Sequence, residues 1–165
     1  MEPITVRKTI ISFLAVGGAV IALTGHAAAT DYCSLVTPED LSKAFGTSFG
    51  LPKRSATPSG PLAGPSVTCT YAGATLEVTI ASFESLTVAK NQQGYEIRRS
   101  RELAKSHAVD VTAIGDGAFY THNKIDSRKG THDYTFSVQA SGADLRKDWK
   151  NPLIGIAQIF YGRLH

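Results

Sequence analysis

Ile10 to Leu23 is an apolar run of about 14 residues without a charge, and it constrains what the rest of the chain can become. Arg7 and Lys8 precede it, and Ala27-Ala28-Ala29 follow, placing small residues at the −3 and −1 positions before Thr30. That order is the pattern of a secretory signal, with cleavage expected after Ala29. A membrane anchor is the competing interpretation, but a spanning helix needs about 20 apolar residues and no second hydrophobic segment follows. The expected organisation is a cleaved signal peptide, residues 1–29, and one extracytoplasmic domain, residues 30–165. The product would be secreted or periplasmic, with no membrane span after cleavage. A lipid anchor would require a small-residue lipobox directly before Cys33, where Thr30-Asp31-Tyr32 stand instead.

Export changes the meaning of the two cysteines, Cys33 and Cys69, both in the mature part. In an oxidising compartment an even pair is most simply a disulfide, closing a loop of about 37 residues. Two separate buried thiols are the alternative. A zinc site lacks support, because neither Cys has a second Cys or His at ligand spacing. Charge is equally restrictive. Setting aside Arg7, Lys8 and Glu2 from 17 basic and 14 acidic residues leaves 15 against 13. So small an excess gives no electrostatic footprint for nucleic acid or an anionic membrane.

Thr37-Pro38-Glu39-Asp40 predicts a short helix, capped by Thr37 and opened by Pro38, with Leu41, Ala44 and Phe45 on one face and Gly46 as its stop. Residues 50–66 are rich in Pro and Gly and are expected to form a long exposed loop. Val67–Tyr71 and Thr75–Phe83 read as paired strands, and Leu76, Val78 and Ile80 alternate with polar neighbours. Ser85–Lys105 is expected to be helical, burying a stripe through Leu86, Ala89, Gln93, Ile97, Ser100 and Ala104. Gly94 in its middle could break it in two.

Val109–Thr112 and Ala118–Thr121 form two further strands around the glycine-rich turn at Gly115 and Gly117. Asp126–Gly130 reads as a polar hairpin tip, and Tyr134–Ala140 as the last strand. Asn151-Pro152 opens a final helix with Leu153, Ile156, Ala157, Phe160 and Leu164 inward. The expected fold class is α+β, in the order α-β-β-α-β-β-β-α. It would hold a largely antiparallel sheet of about five strands, with the helices packed on one side.

Three phrases carry a resemblance: Cys33-Ser34-Leu35-Val36-Thr37-Pro38-Glu39, Cys69-Thr70-Tyr71, and Gly115-Asp116-Gly117-Ala118-Phe119-Tyr120. In that order they resemble a group of small secreted lipoproteins of unknown function, best known from actinobacteria. The resemblance implies an extracytoplasmic α+β domain with its two cysteines paired. It implies no activity, because that family has no established catalytic residues. The missing lipobox means that a lipid anchor does not carry over.

Candidate chemistry is sparse. If the strands around the polar tip pair in register, His122 could approach His132 or Asp133 and make a surface metal site, although polar hairpin residues are commonly just solvated. Asp116 and Glu77 are conspicuous carboxylates, but nothing ties them together, and Asp116 between two glycines suits a turn-former. No Gly-x-Ser-x-Gly elbow occurs. Arg98, Arg99, Arg101 and Lys105, with Lys90 upstream, would suit an acidic partner or simply meet water. Trp149 would be a binding hot spot if exposed and a lid on the core if buried. No residue pattern calls for a cofactor. The function expected is a non-enzymatic extracytoplasmic binding or accessory module for a protein or cell-envelope component, including an inhibitor or immunity-type protein. A small secreted hydrolase, with or without a metal, is the alternative, and a structural envelope protein a third.

Overall fold

A computed structural model describes residues 31–60, 64–105 and 107–164; the expected signal peptide, residues 1–29, lies outside them. A 3₁₀ turn at Tyr32–Ser34 leads into helix α1, Pro38–Phe45. The start of α1 follows from its sequence. The Asp40 N–H donates to Thr37 Oγ1 (3.1 Å) and the Thr37 N–H donates to Asp40 Oδ2 (2.9 Å), a reciprocal capping box that satisfies two orphan donors. Gly46, at φ +71°, ends it.

The sheet has seven strands, not five. They are β1 (Lys53–Thr57), β2 (Ser66–Ala72), β3 (Leu76–Glu84), β4 (Val109–Val111), β5 (Gly117–Thr121), β6 (Lys124–Lys129) and β7 (His132–Ala140). All pairs are antiparallel, in the order β1-β2-β3-β7-β6-β5-β4. The two strands that the pattern does not reveal have different causes. β1 lies inside the expected 50–66 loop and every one of its residues is exposed. It has no apolar alternation to detect, since its backbone ladder to β2 is what defines it, and Lys53 and Arg54 suit an edge that must not pair further. β6 occupies the expected polar tip. The real turns are His122–Asn123, where both residues have positive φ as a two-residue hairpin requires, and Gly130–Thr131.

One face of the sheet carries the main core. Cys69, Ile80, Phe136 and Ile125 lie side by side across four strands, each at most 1% exposed. Helix α3, Lys150–Arg163, lays Leu153, Ile156, Ala157 and Phe160 on this face as its periodicity predicts. Phe160 meets the Phe136 ring edge-on at 5.2 Å and Tyr134 at 5.0 Å. Fully burying each such side chain contributes about 1.5–3 kcal/mol. Arg163 at the end of α3 donates to Asp40 and to the Leu35 carbonyl, fastening α3 to α1. Its guanidinium holds the Asp40 carboxyl down at about 2.

The cysteines are bonded to each other, with Cα atoms 5.4 Å apart. The bridge ties the entry of α1 to β2, and a second tie lies beside it. The buried Tyr71 hydroxyl contacts the carbonyls of Cys33 (2.9 Å) and Val36 (2.8 Å) as their donor. Burial pushes this phenol up to about 12, so it remains a donor at any ordinary pH.

Helix α2, Val88–Ala104, corrects the expectation of one-sided helices. Strand alternation puts Phe119, Asp126, Arg128, Asp133 and Thr135 on the face opposite the main core, and α2 packs there. Tyr95 of α2 meets Phe119 at 5.6 Å and Arg128 lies over the Tyr95 ring. The inward stripe is Asn91, Tyr95, Arg98 and Glu102, while Ala89, Gln93, Ile97, Ser100 and Ala104 face outward. The apolar stripe is not the buried one, because the sheet surface that receives α2 is itself largely polar. Gly94 does not interrupt the helix.

Candidate ligand cleft

The residues singled out by sequence do not converge. His122 sits in the β5–β6 turn, its ring 4.6 Å from that of His107. His132 opens β7, beside Lys129 at the other end of β6, and stacks on Tyr134. Six residues of strand, about 20 Å, separate the two. Asp133 points to the opposite face from His132 and pairs with Arg98 at 2.8 Å. Among the described residues no group of three or more His, Cys, Asp or Glu side chains could hold a metal ion.

The remaining candidates also resolve individually. Asp116 accepts from the Gly130 N–H at 2.8 Å, and its own N–H donates to the Arg128 carbonyl at 2.7 Å. It therefore shapes a turn. Glu77 lies exposed on β3 and has no part in that contact. Arg99 is committed to Asp110 through two hydrogen bonds, and Arg101 is exposed. Trp149 is 5% exposed and packs on Phe45 at 5.5 Å, so it is a lid on the core and not a free hot spot.

From the basic stretch, Arg98 and the upstream Lys90 line a cavity. A cleft of about 510 Å³ opens where α2 leaves the sheet uncovered. Its floor is Asp133 and Thr135 of β7 and Lys124 and Asp126 of β6, with Phe83 of β3 at its edge. Leu86 forms one lip, with Gly64 and Ser85 beside it, while Lys90 and Arg98 hang from α2. That volume lies within the ~300–1,000 Å³ of small-ligand sites.

The polar floor is organised. Asp126, only 5% exposed, forms an ion pair with Lys124 Nζ at 2.7 Å through one oxygen and accepts from the Thr135 hydroxyl at 2.9 Å on the other. A buried carboxylate is tolerated when it is paired and hydrogen-bonded in this way. The lip is different, since Phe83 and Leu86 are 49% and 60% exposed. Asn91, about two turns before Arg98 on the same inward stripe, is 1% exposed, and neither of its amide atoms has a hydrogen-bond partner among the described residues.

Lys124, Asp126 and Thr135 escape sequence reasoning because their convergence depends on strand register and on a helix crossing the sheet. Phe83 was detectable. In β3 the apolar positions Leu76, Val78 and Ile80 are even-numbered, so Phe83 breaks the phase and lands on the wet face.

No protein-family model matches this chain, and comparison with curated proteins finds no match.

Proposed function

We propose that this chain is an exported, non-enzymatic binding module and that its ligand occupies the cleft between α2 and the outer face of the sheet. The observation that carries the proposal is the lip. Two large apolar side chains, Phe83 and Leu86, remain in water beside a preorganised polar floor. Leaving them there forgoes about 1 kcal/mol or more each, which a ligand would recover on binding. Export is part of the proposal, supported by the N-terminal apolar segment and by a cross-link compatible with an oxidising compartment. Among the described residues no helix is long and apolar enough to cross a membrane. Kinship with the small secreted lipoproteins rests on the three short motifs alone. The hydrolase alternative would require working residues in one place, and its candidates His122 and His132 stand at opposite ends of β6.

The test is an NMR titration of the oxidised protein with a panel of small amphiphilic fragments. Amide shifts should cluster on Phe83, Leu86, Lys124 and Thr135. Shifts confined to another surface, or hydrolysis of a fragment, would overturn the proposal.

A further inference from the structure

We infer that the cleft takes a small amphiphilic monoanion, a carboxylate carrying an aliphatic or aromatic body; this rests on the cleft being the binding site proposed above. Six ionisable residues line it: Lys90, Arg98 and Lys124 against Glu84, Asp126 and Asp133. Their sum suggests neutrality, but strand alternation removes one of them. Glu84 shares the parity of Val78 and Ile80, so its side chain belongs to the main-core face and it borders the cleft through its backbone. Three cations then face two carboxylates, an excess of one positive charge.

The exposure of these groups points the same way. Each Asp126 oxygen already has a partner and the side chain is 8% exposed, and the Asp133 side chain is 15% exposed with one oxygen on Arg98. The cations that cover them are more open, with the Lys124 and Arg98 side chains 39% and 40% exposed. Among the described residues each makes a single contact to its carboxylate, leaving most of the three ammonium and five guanidinium N–H donors unused there. Lys90 enters no ion pair among the described residues.

An incoming molecule therefore meets spare donors, while the acceptors lie beneath them. The buried carboxylates orient the cations before the ligand arrives, which lowers the ordering cost of binding. One negative head completes the charge balance, whereas a dianion would leave a second charge uncompensated. Phe83 and Leu86 then receive the apolar body, so head and body are both required.

Isothermal titration calorimetry on the oxidised protein with octanoate, octylammonium and 1-octanol separates these elements. Octanoate should bind with a sub-millimolar Kd, and the other two at least about tenfold more weakly. Lys90→Gln should weaken octanoate about fivefold or more, and Phe83→Ser about tenfold. Both residues are exposed, so the variants should keep the fold, checked by an unchanged melting temperature. Equal binding of octanoate and either comparison probe, or indifference to Lys90→Gln, would refute the anion preference. The cleft would survive that result if Phe83→Ser still weakened binding. No heat from any of the three probes at either of two well-separated temperatures would overturn the preference and the proposed site together.

Discussion

Removing the covalent bridge with the paired variant Cys33→Ala/Cys69→Ala should cost about 4 kcal/mol in loop entropy alone. The cross-linked residues are 36 apart, and closing a loop of that length lowers the entropy of the unfolded chain by roughly that amount at 25 °C. Both sulfurs are also buried, with Cys69 fully enclosed and Cys33 7% exposed, so truncation adds a smaller packing loss of about 1 kcal/mol. Against this, the Tyr71 hydroxyl still holds the Cys33 and Val36 carbonyls, and the core face below α3 is untouched. The variant should consequently fold, with the entry to α1 still docked on β2. For a domain of this size each kcal/mol corresponds to roughly 3–4 °C, so a loss of about 5 kcal/mol in all predicts a fall in melting temperature of about 17 °C. Thermal and urea unfolding followed by circular dichroism measure it, with reduced wild type as the second arm. Reduction should lower the midpoint in parallel and steepen the urea dependence, because an unlinked chain exposes more surface. A loss below about 1 kcal/mol in both arms would show that the bridge constrains little that Tyr71 and the packing do not already constrain.

Two further perturbations probe the frame around the cleft. Asp40 titrates near 2 in the folded protein against 3.8 for the free side chain, so its pairing with Arg163 stabilises fully above pH 4 and is lost as pH falls towards 2. Arg163 is 45% exposed, and screening limits the effect to about 1 kcal/mol; Arg163→Gln should flatten the stability profile across that pH window in acid titrations. Gly115 sits at φ +54°, where an added Cβ would fall 2.3 Å from the Arg128 carbonyl oxygen. Gly115→Ala should therefore destabilise by about 3 kcal/mol in urea unfolding, and a loss under about 1 kcal/mol would contradict the tight approach of the β4–β5 turn to β6.

Much of this architecture is written locally. Thr37-Pro38-Glu39-Asp40 specifies the start of α1 because its capping bonds span only three residues. Leu153, Ile156, Ala157 and Phe160 declare the buried side of α3 by spacing alone, and the alternation in β3 and β7 identifies the core face. Where local pattern and environment part, the forecast fails. β1 has no buried face to advertise, β6 turns Lys124, Asp126 and Arg128 to the α2 side of the sheet, and α2 turns its polar stripe inward. In each case the partner that makes the arrangement favourable is remote in the chain.

Composition and periodicity alone thus determined the α+β class, the start of α1, the inward face of α3 and the residues of the single cross-link. Those properties depend on neighbours within a turn or a strand, or on there being only two cysteines to join. Tertiary structure alone decided that α2 crosses to the second face, and with it that Phe83, Lys90, Arg98, Lys124 and Asp126 share one cleft. Such a decision is global, since whether a polar stripe can be buried depends on the charges and hydrogen-bond partners waiting on the surface that receives it.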